Sequence, residues 1–280
     1  MLNKYNTHTA VWTLLVTLGL GMLSNAYAQD EEFEEKLVVP LSSPDKPGRL
    51  TVSQIYGGVR VIGHSGQDVI VLARKKNFKQ KTEMKNGLRK VNNDSMKLVI
   101  EERDNHVDVV SQHYSGKKPA LNLEIRVPFK FDIKLSNINK GDSYVRDVTG
   151  EMEISNVNGS ITLENISGGV LADSVNGAVT ATFESVFENT DMAFSSLNKD
   201  VDITLPKNVK AKIKAKTENG EIYTGFDVDF DKSPAVVEKE SGKGSYKLKL
   251  EKWVQGTING GGAEIQLKTL NGDIIIRAAE

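Results

Sequence analysis

The stretch from Gly141 to Ser185 is built from five nine-residue units, which read GDSYVRDVT, GEMEISNVN, GSITLENIS, GGVLADSVN and GAVTATFES. Each unit opens on a glycine, and the residues two, four and seven positions later are mostly apolar. The slots between them hold mainly Asp, Asn, Ser, Thr and Glu. A glycine followed by apolar–polar alternation in so short a unit is typical of one β-strand plus one corner, stacked on copies of itself. The sequence therefore predicts an all-β protein, a single-stranded β-solenoid with short glycine-cornered rungs.

Stacking follows from the size of the unit. A strand of about five residues cannot bury an apolar face alone, so each unit must pair with units above and below it at about 4.8 Å. The three apolar slots are predicted to face the core, and glycine is expected at the corners because it reaches positive φ without a Cβ clash. Either two or three units could complete one turn of the stack, and the sequence leaves both open. The predicted corner glycines are Gly141, Gly150, Gly159, Gly168 and Gly177.

Asparagines recur at fixed slots of the repeat. Asn158 and Asn176 share one slot, and Asn156 and Asn165 share another, which predicts short ladders of side-chain amides between rungs. A meander of hairpins is the alternative, because Asn-Gly is the usual two-residue hairpin turn. That pair occurs four times, at 158–159, 176–177, 219–220 and 271–272.

The ends of the chain define its organisation. Residues 1–28 have an early lysine, an apolar run too short to span a bilayer, and the cleavage pattern Ala26-Tyr27-Ala28, so they are predicted to be a secretory signal. Residues 29–36 (QDEEFEEK) are expected to form a flexible acidic leader. Residues 37–280 are predicted to be one elongated solenoid domain, with the regular block at about 136–183. No later stretch is long and apolar enough to anchor the chain in a membrane.

Composition excludes several classes of function. The chain has no cysteine, which excludes disulfides, cysteine nucleophiles and thiolate metal sites. The net charge of −1 gives no global electrostatic attraction to nucleic acid. We therefore expect no nucleic-acid partner, and stability that comes from a hydrophobic core and backbone ladders.

Two basic segments interrupt or follow the repeat. Residues 74–90 carry eight Lys or Arg against one Glu, and they are either a solvated loop or a patch for an anionic partner such as lipopolysaccharide or an acidic glycan. Residues 210–216 alternate lysine with apolar residues, which predicts a strand with one lysine face that discourages pairing with other chains or binds anionic groups. The candidate binding patch of the first segment is Arg74, Lys75, Lys76, Lys79, Lys81, Lys85, Arg89 and Lys90.

Three stretches carry a resemblance to a known family. They are IYGGVRVIGHSGQDVIV near the start, NVNGSITLENISGGVLADSVNGAVTA in the middle and GTINGGGAEIQLKTLNGDIIIR at the end. The chain resembles the secreted bacterial family of unknown function named for candidate adhesins with β-strand repeats, which is common in the Bacteroidetes. The resemblance implies a single-stranded β-helix-like fold, export, and no known catalytic residues.

The residues offer little chemistry. Asp104, His106 and Asp108 alternate on a predicted strand, so they are either a surface metal cluster or a solvated face. His64 lies in GHSG, where it is expected to cap a turn. The corners lack the carboxylates that a calcium-binding nonapeptide roll requires, and there is no GxSxG motif. We therefore expect a non-enzyme without cofactors or metals.

Two functional hypotheses remain open. The first is an exported, adhesin-like binding or structural module at the cell surface, which contacts an envelope glycan or a surface protein. The second is a periplasmic envelope-stress or regulatory protein that acts by binding or self-assembly. In both, function is expected where the repeat breaks, at 74–90, 184–196 and 225–245, while the repeat itself is scaffold.

Overall fold

The structure is a computed structural model, and it describes residues 32–76, 84–85, 88–89, 98–111, 120–139, 141–230, 236–242, 245–251 and 253–280. These residues form strands, turns and bends, and none of them lies in a helix. They form two large mixed sheets and two small two-stranded sheets. Residues 1–31, which include the predicted signal, lie outside the described residues.

Twenty-five strands follow one another along the chain. They are β1 (Glu32–Pro40), β2 (Gly48–Tyr56), β3 (Val59–His64), β4 (Asp68–Lys76), β5 (Met84–Lys85), β6 (Leu88–Arg89), β7 (Leu98–Arg103), β8 (His106–Ser111), β9 (Leu121–Pro128), β10 (Phe131–Asn139), β11 (Ser143–Arg146), β12 (Met152–Asn156), β13 (Ile161–Ser167), β14 (Val170–Ser174), β15 (Val179–Ser185), β16 (Met192–Ser196), β17 (Val201–Leu205), β18 (Ala211–Lys216), β19 (Ile222–Thr224), β20 (Asp229–Phe230), β21 (Val236–Gly242), β22 (Ser245–Glu251), β23 (Val254–Ile258), β24 (Ala263–Thr269) and β25 (Ile274–Ala278).

Consecutive strands of the repeat alternate between the two large sheets. Sheet A has the order β1-β4-β9-β3-β11-β13-β15-β17-β25-β19, and sheet B the order β20-β23-β18-β24-β16-β14-β12-β10-β2-β8-β7. From β10 to β17 every strand pairs in parallel with the strand two positions along the chain. The partners Met152 and Val170, like Ile161 and Val179, are separated by two nine-residue units, so each repeat of the structure holds two units. Parallel pairing excludes the meander of hairpins for this block.

A pair of consecutive strands, one in each sheet, is called a rung below. Along the stack the rungs follow the order β8–β9, β2–β3, β10–β11, β12–β13, β14–β15, β16–β17, β24–β25 and β18–β19. Two rungs, β2–β3 and β24–β25, are therefore threaded, which means that each lies between two rungs remote from it in the sequence. Antiparallel strands follow at both ends, with β1, β4 and β7 at one end and β20 and β23 at the other.

The core lies between the two sheets. The first two apolar slots point inward as predicted, and Met152, Ile154, Ile161 and Leu163 are almost completely buried. The third slot behaves as predicted only at one of the two corners: Val148 and Ile166 are buried. At the other corner Val157 is 39% exposed and Val175 is only half-buried, because the chain turns there with the side chain outward. The true period is thus the pair of units, whose two corners differ.

The corner glycines are required for a different reason from the one predicted. Among the five, only Gly168 has a positive φ, of 133°. At Gly159 a Cβ would stand far inside van der Waals contact with the carbonyl oxygen of Gly141, and at Gly177 with that of Gly159. At Gly141 and Gly150 it would likewise run into backbone of the neighbouring rung. Glycine is needed because corner backbones stack directly on one another.

The predicted amide ladder is present at one of its two slots. Asn158 donates to Asn139, and Asn176 donates to Asn158; in both hydrogen bonds the distance from Nδ2 to Oδ1 is 2.8 Å. The ladder then continues through Asn198, Asn271 and Asn219 at 2.8–3.0 Å. It therefore joins six rungs along the exposed corner.

The other slot forms no such ladder. Asn156 is buried, and its amide donates to the carbonyl oxygen of Gly141 and to the hydroxyl of Ser143. Asn165 has a φ of 51° and donates over 2.7 Å to Asp147, whose φ is 56°. Asp and Asn tolerate this left-handed conformation better than most residues, so they supply the turn that was expected of glycine.

Two boundaries differ from those predicted. Residues 32–36 are not a free leader, because they belong to β1, which pairs antiparallel with β4 along its whole length. The regular block extends beyond 136–183, since β16 and β17 continue the stack. The parallel partners Val179 and Val201 are separated by two units and four additional positions, so the departure near residue 184 is a short insertion into one rung.

Candidate binding groove on the outer face of sheet A

The outer face of sheet A brings four polar side chains into one row. In the register of β9, β3, β11 and β13, Glu124 lies beside Arg60, Arg60 beside Tyr144, and Tyr144 beside Thr162. All four occupy slots between inward-facing residues, which is why they point away from the core. A groove of about 500 Å³ runs along this row, here called the Tyr144 groove. Its polar and aromatic lining is Arg60, Arg74, Asn122, Glu124, Asp142, Tyr144 and Thr162.

Arg60 and Tyr144 form the centre of the groove. The guanidinium carbon of Arg60 lies 4.3 Å from the centroid of the Tyr144 ring, a cation–π contact. The hydroxyl of Tyr144 donates to the carboxylate of Glu164, which fixes the ring on the sheet. Partial burial raises the pKa of Tyr144, and the hydrogen bond to Glu164 and its negative charge raise it further. The phenol therefore stays protonated.

The Arg60 guanidinium is available for a ligand. Arg60 is exposed, and it makes no hydrogen bond or ion pair with any residue that the structure describes. A guanidinium has five donors in a planar fork, which matches a carboxylate or a pair of hydroxyls. Because the ring of Tyr144 already orients this fork, its donors are preorganised toward the groove.

The charges on the other side of the groove are mutually neutralised. Arg74 donates hydrogen bonds of 3.1 Å to Glu34 and 3.0 Å to Glu124, and Arg126 donates one of 2.9 Å to Glu124. The hydrogen bond to Glu34 is the main cause of the raised pKa of Arg74. Burial by itself would raise the pKa of Glu124, but the hydrogen bonds from Arg126 and Arg74 outweigh it and lower the pKa. Glu124 is therefore a fixed anion that holds two arginines in place.

The predicted basic patch is only partly visible. Arg74 lies in β4, where the two carboxylates occupy its guanidinium, so it is not free for an anionic ligand. Lys75 and Lys76 end the same strand, with their backbones paired to β1. Lys85 and Arg89 lie in the small antiparallel sheet formed by β5 and β6. The remaining three, Lys79, Lys81 and Lys90, lie outside the described residues.

The predicted lysine row lies on β18, and that strand is not an edge. β18 pairs with β24 on one side and with β23 on the other. Lys212 is exposed as expected, and the ammonium of Lys214 lies 4.9 Å from the centroid of the Trp253 ring. Lys216 departs from the row, because its side chain is only 10% exposed and pairs with Glu218 over 2.8 Å.

The histidines act within turns and strands. His64 accepts from the N–H of Gly66 over 3.1 Å and contacts the carbonyl oxygen of Asp68 over 3.0 Å, so it caps its turn as predicted. His106 Nε2 lies 2.7 Å from the hydroxyl of Thr51 and 3.5 Å from the carboxylate of Asp108. The described residues contain no group of three acidic or histidine side chains that could hold a metal ion.

Two breaks in the repeat coincide with further grooves. The departure after residue 184 borders a groove of about 550 Å³, whose lining includes Val186, Phe187, Met192 and Val209. The start of the excursion at 225–245 borders a groove of about 510 Å³ at the end of the stack. The Tyr144 groove includes Arg74 of the predicted basic patch, but its aromatic residue lies in the repeat, which was predicted to be scaffold. The signal in the sequence is an aromatic side chain at Tyr144, in a slot that holds Glu153, Thr162, Leu171 and Thr180 in the other four units.

Comparison with known proteins concerns the fold. No protein-family model matches the chain, and neither does any curated protein. The fold resembles the crystal structure of a candidate cell adhesion protein from Clostridium sporogenes, with a TM-score of 0.50 and 14% identity over 89% of this chain and 100% of that one. A candidate adhesin from Bacteroides fragilis aligns over 89% of this chain and 97% of its own, with a TM-score of 0.34 and 8% identity, which is too distant to support an argument. A membrane-crossing helix does not occur in the described part of the chain. At these identities the chain is similar in fold to a bacterial protein assigned to adhesion, and the likeness extends no further.

Proposed function

We propose that the protein is a non-enzymatic, exported, adhesin-like binding protein that holds a glycan of the cell envelope or the extracellular space in the Tyr144 groove. The observation that carries the proposal is the Arg60 guanidinium, which is stacked on Tyr144 and whose donors have no partner among the residues that the structure describes. The similarity in fold to a candidate cell adhesion protein supports the same class of function without identifying a ligand.

The chemistry of the groove fits a sugar. Guanidinium groups bind carboxylates and vicinal hydroxyls through two parallel hydrogen bonds. Asn122, Asp142 and Thr162 add neutral and anionic groups for further hydroxyls in the same groove. Strands hold these side chains more rigidly than loops would, so little ordering entropy opposes binding.

Binding without catalysis is supported by the protonation states. A general acid or base works best with a pKa near the working pH. The pKa of Glu102 is lowered by hydrogen bonds from Ser42, and that of Glu124 is lowered by its arginines. The raised pKa of Tyr144 keeps the phenol neutral. In the described part of the chain these shifts all lead away from neutrality.

We also propose that the fold is a single-stranded β-solenoid. Strands that alternate between two sheets, each with its parallel partner two units further along the chain, fit a single-stranded β-solenoid with two nine-residue units per turn. Such a solenoid offers a long, rigid outer face, which suits attachment to an extended polymer. Secretion to the cell surface agrees with this use, and a periplasmic regulatory role is the competing location.

The test compares two arginines of the same face. Arg60 has no hydrogen-bond or ion-pair partner among the described residues, whereas Arg277 is held by Asp202 through three hydrogen bonds of 2.8–3.2 Å. On an array of neutral and acidic envelope glycans, Arg60→Ala should weaken binding of the recognised glycan at least about tenfold, and Arg277→Ala should leave it unchanged. Equal effects of the two substitutions, or cleavage of the bound glycan, would contradict the proposal. Protease treatment of intact cells should remove a surface protein and spare a periplasmic one.

A further inference from the structure

The two sheets end differently at the C-terminal end of the stack. Sheet B continues beyond β18 with β23 and β20, whereas sheet A ends at β19, whose outer edge pairs with no strand of the described residues. On its inner side β19 bonds to β25 through the carbonyl oxygen of Glu221 and the N–H of Gly225. Because bonding groups alternate along a strand, the N–H and C=O groups of Ile222 and Thr224 point to the open edge.

The open edge borders an apolar groove. A groove of about 510 Å³ lies between β18 and β19, and core residues such as Ala215 and Ile276 form part of its lining. Phe230, which lines this groove, is 48% exposed. The apolar side chains of its lining are Ile213, Ala215, Ile222, Val228, Phe230, Val254 and Ile276. An additional strand beside β19 would close this end of the core in the way that β25 closes the inner side.

The surroundings of the groove are acidic. Glu221, Asp227 and Asp229 are exposed, and within the described residues none of their carboxylates is in an ion pair. Glu218 is already used, because it holds the ammonium of Lys216 over 2.8 Å. Glu221 lines the groove, and Asp227 and Asp229 flank the lining residue Val228. These three carboxylates have no ion-pair partner among the described residues, so their charge favours an incoming strand with basic side chains and disfavours an acidic one.

We infer that β19 is a docking edge for an extended segment of a partner protein in which apolar and basic residues alternate. Strand addition provides main-chain hydrogen bonds to Ile222 and Thr224, and period-two alternation sends apolar side chains into the groove and lysine or arginine toward the carboxylates. The charge of the edge disfavours head-to-tail addition of a second copy through β1, the other edge of sheet A, which contains Glu34 and Glu35. This docking edge is independent of the Tyr144 groove.

The test uses a labelled peptide of sequence KLKIKLK and the full chain, followed by fluorescence anisotropy. The peptide should bind, and its scrambled form KKKLLIK, which lacks the alternation, should bind at least about tenfold more weakly. Glu221→Lys should weaken binding of KLKIKLK by about tenfold, and so should raising the salt concentration, which screens exposed charges. Glu188→Lys, at an exposed carboxylate of the loop between β15 and β16, is the matched control and should leave binding unchanged.

Hydrogen exchange separates strand addition from loose electrostatic attraction. Bound peptide should slow exchange of the Ile222 and Thr224 amides, and Thr224→Pro, which removes one open-edge donor, should reduce the affinity. Absence of binding, equal binding of the scrambled peptide, or unchanged exchange at these two amides would overturn the inference. Should Thr224→Pro fail to fold, the charge-reversal and exchange experiments decide alone.

Discussion

Substitution of Gly159 by alanine tests why glycine recurs every nine residues. The φ of Gly159 is not in the left-handed region, so alanine meets no intrinsic backbone strain there. Its Cβ would overlap the carbonyl oxygen of Gly141, and that atom is backbone that cannot rotate away. Overpacking of this kind costs about 1–3 kcal/mol. For a protein of this size, each kcal/mol lowers the melting temperature by roughly 2–4 °C, so we expect a fall of roughly 2–12 °C.

The matched control is Gly58→Ala. At Gly58 the nearest atom to a new Cβ is the carbonyl oxygen of Asp142 at 3.5 Å, an ordinary contact. Alanine there should be neutral or should stabilise by about 0.4–1 kcal/mol, because it restricts the unfolded chain.

Gly159→Asn gives a second check. Asparagine tolerates positive φ but carries a Cβ, so it should be no better than alanine if close approach is the cause. Thermal unfolding followed by circular dichroism measures all three. Equal melting temperatures of Gly159→Ala and Gly58→Ala would refute the stacking argument.

Two further predictions concern the ladder and the groove. Asn176→Ala removes two amide hydrogen bonds from the middle of the exposed ladder, and Asn219→Ala removes one from its end. In urea unfolding, Asn176→Ala should lower the free energy of unfolding by about 0.5–1.5 kcal/mol, and Asn219→Ala should lower it by less. Because the pKa of Glu124 is lowered in the folded state, its stabilising effect is fully present above its unfolded pKa of about 4.3 and is lost as the pH falls through the lower folded value. Glu124→Gln should therefore flatten the acid side of a plot of melting temperature against pH, and an unchanged slope would count against this account.

The repeat made much of the local structure predictable from the sequence. The first two apolar slots face the core because alternation leaves them no other face, as Ile154 and Leu163 show. The amides of Asn158 and Asn176 meet because equal slots at the corners of neighbouring rungs lie directly above one another. The number of units per turn was not predictable, since two or three units satisfy the same slots. The structure shows that parallel partners such as Met152 and Val170 lie two units apart in the sequence.

Other features depend on contacts that a single sequence does not reveal. The reason for glycine at Gly159 is the backbone of the neighbouring rung, whereas the sequence shows only that a Cβ is absent. The Tyr144 groove joins side chains from strands that are adjacent in space and far apart in the chain, with Arg60 on β3 and Tyr144 on β11. Nothing in the nine-residue period indicates that β3 and β11 are neighbours, so Arg60 and Tyr144 looked like solvated positions of a scaffold.

The threaded rungs change how such a stack is expected to unfold. In a simple repeat array each unit contacts its neighbours in sequence, and the ends fray first. Here the middle rungs are joined by side-chain hydrogen bonds between residues close in sequence, as from Asn176 to Asn158. The threaded rungs are joined to their neighbours by long-range bonds: the bond from Arg49 to Asp132 spans 83 residues, and that from Asn271 to Asn198 spans 73. Closing such long loops costs entropy before the pairing compensates for it. Because β24–β25 lies between β16–β17 and β18–β19, the rung β18–β19 has no inner neighbour until the last strands are in place. Loss of β24–β25, the last rung in the sequence, therefore removes the support of β18–β19, the last rung of the stack. The ends are thus coupled to the interior, and the stack should unfold as one cooperative unit.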